Sequence, residues 1–264
     1  MGNIIFTVSG KGGTGKTSIS AGVTSCLSVL GHKTALVDAD VGLRNVDIVL
    51  GVSEKTVMHF GDVIKGNVVL SEALVSRGDL PLLSILAAPG DTAPVSAGDI
   101  KRLLGQLSEE FEFVWIDGPA GLSDWVRTVA ELSGTVVVVV TPDVVSMRDA
   151  SRISEMLDEM GKPPAYLVVN RVRPRLIKEN GALYVDDIMD GAGMPLLGIV
   201  PEDERVIAAA NKGEPLVALA QDGAALAYRN IALRLLGERV PLSDLRVTSK
   251  VRRNFLSELK LRGL

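Results

Sequence analysis

Eight residues, Gly10-Lys11-Gly12-Gly13-Thr14-Gly15-Lys16-Thr17, constrain this chain more than any other stretch. An apolar run, Ile4-Ile5-Phe6-Thr7-Val8, leads into them, and a helical pattern of small residues over 18–30 leads out. A strand, a GxxxxGK[ST] string and a helix in that order make a phosphate-binding loop. Gly10, Gly12, Gly13 and Gly15 let successive backbone N–H groups turn inward without side chains in the way. The helix that follows adds its positive N-terminal end. Lys16 then reaches the β- and γ-phosphates and the Thr17 hydroxyl ligates Mg²⁺. Thr14 and Ser18 belong to the same nucleotide-binding stretch. Gly10, Gly12 and Gly15 also spell GxGxxG, with Asp38 and Asp40 where a dinucleotide fold places its ribose acid. Lys16-Thr17 has no task under that reading, so a nucleoside triphosphate such as ATP, with Mg²⁺, is the expected ligand.

Hydrophobic residues make up 47% of the 264, yet aromatics only 4%, so the core is aliphatic. That suits a parallel sheet covered on both faces by helices. The pattern predicts strands over 33–37, 82–87, 111–116, 134–141, 165–170 and 196–200 after the first, and helices over 96–110 and from 146 past 160. Residues 53–80 read as short helices and turns without chemistry, and 205–236 as two helices around a break at 211–215. The expected fold is a single α/β domain over 1–238, doubly wound and mostly parallel, then a connector over 239–247 and an amphipathic helix over 248–264.

Three acids follow strands. Asp38 and Asp40 close the second strand and Asp117 closes the strand over 111–116, at the sheet edge where ligands bind in this class. Asp38 and Asp117 are candidates to hold the metal through water, and Asp40 to orient the attacking water or take its proton. Cys26 is the only cysteine, which rules out an intrachain disulfide, and His32 and His59 lack ligand-like spacing. The start of the chain lacks a basic leader pattern, and Phe6 stands where a myristoylation motif needs Ser or Thr.

The string KGGTGKT resembles the deviant Walker A motif of the MinD/ParA ATPase family. DADVGLRNVD at 38–47 and DGPAG at 117–121 resemble switch segments of its MinD branch. The resemblance spans residues 2 to about 240. It implies that Lys11 crosses a dimer interface to the partner copy's nucleotide. Asn170 and Arg171, in NRVRP, with Pro201 and Asp203 would flank the base. The branch commonly has glutamate where Asp143 stands.

The last stretch is a basic amphipathic pattern. At 100° per residue Val251, Phe255 and Leu259 share an arc with Leu256 at its edge. Lys250, Arg252, Arg253, Lys260 and Arg262 face one acid, Glu258, in a chain of net charge −4. Such a helix suits an interface with anionic lipid, and the resembled branch carries a membrane-targeting helix at this end. The resemblance therefore implies an ATP-dependent homodimer, in the cytoplasm and peripheral on the inner membrane face. Its partners would be a MinC-like division inhibitor and a MinE-like or pole-anchored topological factor. Nucleic acid is not expected as a partner. A flagellar-number regulator or a DNA-partition ATPase of the same family are the alternatives; the latter should carry a folded basic patch instead of a basic tail.

Overall fold

The computed structural model describes residues 2–41, 44–90, 95–161 and 165–242. Its first half runs β1 (Asn3–Ser9), α1 (Lys16–Val29), β2 (Thr34–Asp38), α2 (Val46–Val49), α3 (Phe60–Lys65), α4 (Leu70–Ala73), β3 (Leu74–Arg77) and β4 (Leu80–Leu86). Then follow α5 (Ala97–Glu110), β5 (Phe113–Ala120), α6 (Asp124–Leu132), β6 (Thr135–Val140), α7 (Val144–Glu159) and β7 (Tyr166–Val172). The chain continues through α8 (Pro174–Lys178), α9 (Val185–Ala192), β8 (Leu196–Pro201), α10 (Glu204–Lys212), α11 (Leu216–Leu219) and α12 (Gly223–Leu235).

Eight strands form one sheet in the order β3-β4-β2-β5-β1-β6-β7-β8. Every neighbouring pair is parallel except β3 with β4. The chain builds outward from β1 on one side, returns through β5, and then builds outward on the other side. The carboxyl end of β1 therefore lies where the winding reverses, which is where such sheets bind ligands.

The valine run of β6 explains how both faces are served. Val136, Val138 and Val140 enter one core with Phe6, Leu103 and Ile153, while Val137 and Val139 enter the other with Ile19, Leu27 and Ile231. Period-two alternation thus reads as a continuous apolar string because both sides are dry. Helix α1 lies in the second core, almost wholly buried, and its small residues permit a close approach. A Cβ on Gly22 would stand 2.2 Å from the Tyr228 ring of α12. Of the two tryptophans, Trp115 is fully buried on β5 and Trp125 is half-buried in the first turn of α6, and the indole N–H of each is unpartnered.

The predicted strands are present, with small shifts at their ends. β5 runs on through Asp117 to Ala120, because Gly118 lets the backbone lie against Phe6, where a Cβ would be 2.3 Å from the ring. Within the stretch 53–80, expected to hold only short helices and turns, β3 is a four-residue antiparallel edge strand whose register with β4 shifts between Ser76 and Arg77. α7 starts earlier than expected, because Asp143 caps it, and ends at Glu159. Residues 205–236 hold three helices, since 216–219 makes a turn of its own. α6, α8 and α9 fill stretches for which the pattern assigned nothing. The predicted tail helix over 248–264, with Lys250, Val251, Arg252, Arg253, Phe255, Leu256 and Leu259, lies outside the described residues.

Candidate nucleotide site

The loop between β1 and α1 owes its shape to two left-handed glycines, Gly13 at φ +78° and Gly15 at φ +91°. Neither Gly12 nor Gly13 has a heavy atom within 4 Å of where a Cβ would stand, so a phosphate can approach their amides. Gly10 is required for a different reason: a Cβ there would lie 2.1 Å from Asp149 Cβ on α7. Lys16 is 8% exposed, and the Thr14 hydroxyl is buried without a hydrogen-bond partner. Open amides, a buried ammonium and an orphaned hydroxyl in one loop are the donor set that a nucleoside phosphate needs.

Asp117 on β5 faces this loop. Its two oxygens accept hydrogen bonds from Thr17 Oγ1 and Ser20 Oγ, both at 2.7 Å. Burial pushes its pKa up to about 6, against the opposing pull of the two hydroxyls and the Lys16 charge, with Asp38 adding to the rise. Asp38 is its direct neighbour across the β2–β5 register. The Asp38 carboxyl is also pushed up, first by burial and to a smaller extent by Asp40. Its oxygens are engaged by backbone: Oδ1 accepts from Asp40 N at 3.0 Å, and Oδ2 from Asn45 N at 2.9 Å and Val46 N at 3.1 Å. Asp38 therefore organises the segment that carries Asp40. Asp40 itself is half-buried; burial raises its pKa while Lys16 pulls the other way.

Lys11 ends in an ion pair within its own chain. Its Nζ donates to Asp143 Oδ1 at 2.9 Å and Oδ2 at 3.1 Å. Asp143 also accepts from Ser146 N at 2.9 Å as the cap of α7, and from Thr141 Oγ1 at 2.5 Å. Burial raises the Asp143 pKa, but the hydrogen bonds from Thr141, Ser146 and Lys11 outweigh it, and the net shift is downward. Both side chains of the pair are more than a third exposed, so solvent screens it and its net worth is about 0–1 kcal/mol.

Of the residues expected at the base, Asn170 and Arg171 lie near the end of β7 and Pro201 ends β8, where it pairs with Val172, while Asp203 follows as the cap of α10. Their side chains are more committed than the sequence suggested. Asn170 is buried and its amide donates to Thr14 O at 2.7 Å, bracing the phosphate loop from behind. That contact is a second reason for Gly15, whose Cβ would lie 2.3 Å from Asn170 Nδ2. Arg171 is exposed, with φ +55°. Asp203 caps α10 and also takes Ala224 N at 3.1 Å and the Arg205 guanidinium at 2.8 and 2.9 Å. Those bonds hold its carboxyl down at about 2 despite partial burial. Pro201 is half-buried at the end of β8.

The structure thus brings Lys16, Thr17, Asp38, Asp40 and Asp117 together, with Lys11 and Asn170 at the loop's two flanks. Sequence reasoning missed Ser20, and it singled out Asp143 without its bond to Lys11. Ser20 was legible, since it stands one helical turn after Thr17 and on the same face.

Comparison with known proteins adds to this picture. The model of the CobQ/CobB/MinD/ParA nucleotide binding domain matches residues 5–216. The chain is 40% identical over 254 residues to the septum site-determining protein MinD of Bacillus subtilis, covering 95% of each. It is 38% identical over 249 residues to the protein of the same description from Synechocystis, covering 92% of this chain and 93% of that one. Among solved structures, the MinC:MinD cell division protein complex of Aquifex aeolicus is similar at a TM-score of 0.86 and 32% identity, covering 91% of this chain and 98% of that one.

Proposed function

This chain belongs to the CobQ/CobB/MinD/ParA nucleotide-binding family, in its MinD branch, and from that membership we propose that it is a Mg·ATP-dependent dimerising switch that positions the division septum from the membrane surface. The observation that carries this reading is the pairing of Thr17 with Asp117 at 2.7 Å, at the mouth of a glycine loop that buries Lys16. Bound Mg·ATP supplies an anhydride whose cleavage is strongly favourable and a divalent charge that offsets the phosphates.

The chain's own residues divide the remaining tasks. The loop amides and Lys16 hold phosphate charge. The Thr17 hydroxyl would ligate the cation, with its proton held by Asp117. Asp40, positioned through Asp38, orients water and accepts its proton. Lys11 exchanges Asp143 for the phosphates of a second copy, which ties dimerisation to the loaded state. The shared solvent-exposed character of that ion pair supports the exchange, because little is lost when it opens.

Membrane attachment rests on the basic amphipathic pattern of the tail. One short helix contributes roughly 1 kcal/mol per basic residue at an anionic surface, which is marginal for a monomer. Two helices on one dimer gain through effective concentration. The loaded dimer on the cytoplasmic face would then recruit a MinC-like division inhibitor, a partnership supported by the similar Aquifex complex. A MinE-like or pole-anchored factor would stimulate hydrolysis and release it.

Co-sedimentation with anionic vesicles tests the proposal, using Mg·ATP, Mg·ADP or no nucleotide. The full chain should pellet only with Mg·ATP; a chain stopped after Arg239 and the Lys16→Gln variant should stay in solution. A full chain that remains soluble in all three conditions overturns the membrane reading.

A further inference from the structure

Arg77 takes no part in the nucleotide chemistry described above, yet its side chain is tied to the backbone of two other segments. It ends the edge strand β3 where the β3–β4 register shifts, and a bulge of this kind re-aims a side chain. The side chain is turned inward and only 17% exposed. One terminal guanidinium nitrogen donates to two backbone carbonyls, those of Leu50 and Gly213. Asp79 holds the other nitrogens, Nε at 2.7 Å and Nη2 at 3.1 Å.

Both carbonyls terminate helices: Leu50 is the C-cap of α2 and Gly213 the C-cap of α10. A cation is favourable where helix carbonyls converge, and a planar guanidinium can serve several acceptors at once. The two backbones touch at this point. A Cβ on Gly51 would lie 2.3 Å from Gly213 O, and one on Gly213 would lie 2.5 Å from Gly51 Cα.

The other ends of these helices lead to the site. α2 begins where Asn45 N and Val46 N donate to Asp38 Oδ2, and the same carboxylate holds Asp40 N. α10 begins at Asp203, beside Pro201. Between the helices lies a small apolar cleft of about 20 Å³, lined by Val49, Leu50, Val206, Ala210, Pro215 and Tyr228 among others. Val46 and Leu50 anchor this segment in the second core, and polar contacts engage both of its ends.

We propose that Arg77 is a positioning residue for hydrolysis: by clasping the C-terminal ends of α2 and α10, it fixes the frame on which Asp40 is carried and ties that frame to the base-side loop. This inference rests on the ATPase reading given above.

Two measurements on full-length Arg77→Ala and Arg77→Lys test it. Without nucleotide, amide hydrogen exchange over 46–52 should rise about tenfold in Arg77→Ala, with β1 and β6 unchanged, because the loss is local. Arg77→Lys should recover part of that protection, since an ammonium can still reach one carbonyl. In steady-state turnover, kcat of Arg77→Ala should fall about tenfold. KM for ATP should stay within about twofold, as expected when only a transition-state interaction is weakened. Faster exchange confined to β3 and β4, an unchanged kcat, or KM rising in step with the loss of kcat overturns the proposal. A wild-type protein without turnover overturns the ATPase reading, and the hydrolytic role with it, whatever the exchange result. Should Arg77→Ala fail to fold, Arg77→Met keeps the stem, loses the donors and carries the same comparison.

Discussion

At the scale of single residues, the site is a balance between buried charge and the hydrogen bonds that offset it. Asp117 holds a carboxyl at a pKa of about 6, against an ordinary 3.8, because burial outweighs two hydroxyl donors. Between those values the folded chain keeps a proton that the unfolded chain has released. This group's contribution to stability therefore falls as pH rises from 3.8 through about 6. Asp117→Asn should stabilise the nucleotide-free protein by about 1–2 kcal/mol at pH 7.5, with the gain vanishing near pH 4. Thermal denaturation in EDTA at the two pH values measures this; an Asn variant less stable at pH 7.5 would refute it. Turnover should be lost in the same variant. The phosphate loop was legible because its chemistry is contiguous in sequence. The roles of Asn170 and Asp203 were not, since their partners Thr14 and Ala224 are distant or belong to another helix.

At the scale of elements, capping and edges decide what the sequence concealed. β3 has four residues and is antiparallel, too short to display a period in the sequence. α7 starts where Asp143 caps it, and the same carboxylate holds Lys11. Asn caps a helix about as well as Asp, so Asp143→Asn should preserve α7 while freeing the lysine. Removing an exposed pair worth about 0–1 kcal/mol should lower the protein concentration for half-maximal ATP-dependent dimer, by up to about fivefold. Light scattering across a concentration series would show it, and an unchanged or higher midpoint would mean that the pair does not compete with dimerisation.

At the scale of the whole molecule, one sheet gathers the phosphate loop and the acids Asp38, Asp40 and Asp117 at its carboxyl edge. The winding reverses at β1, so the phosphate loop, Asp38 and Asp117 come from three strands that are neighbours in space and far apart in sequence. The doubly wound architecture was legible from the apolar runs, because strands buried on both faces leave no other pattern. In the proposed cycle, hydrolysis takes the dimer apart. Asp40→Ala should accordingly bind ATP normally and persist as a dimer long after wild type has dissociated, as followed by light scattering after a single addition of ATP. Prompt return of the variant to monomer would remove Asp40 from the hydrolytic step.

The placement of the two indoles gives the protein an optical probe of its own. Trp115 is sealed in the sheet, whereas Trp125 is the second residue of α6, just beyond the segment 118–123 with its glycines Gly118 and Gly121. Adding Mg·ATP should therefore change the emission of Trp125 alone, and Trp125→Phe should leave a spectrum that no longer responds. Each turn of the switch could then be timed in unlabelled protein by the light that one side chain emits.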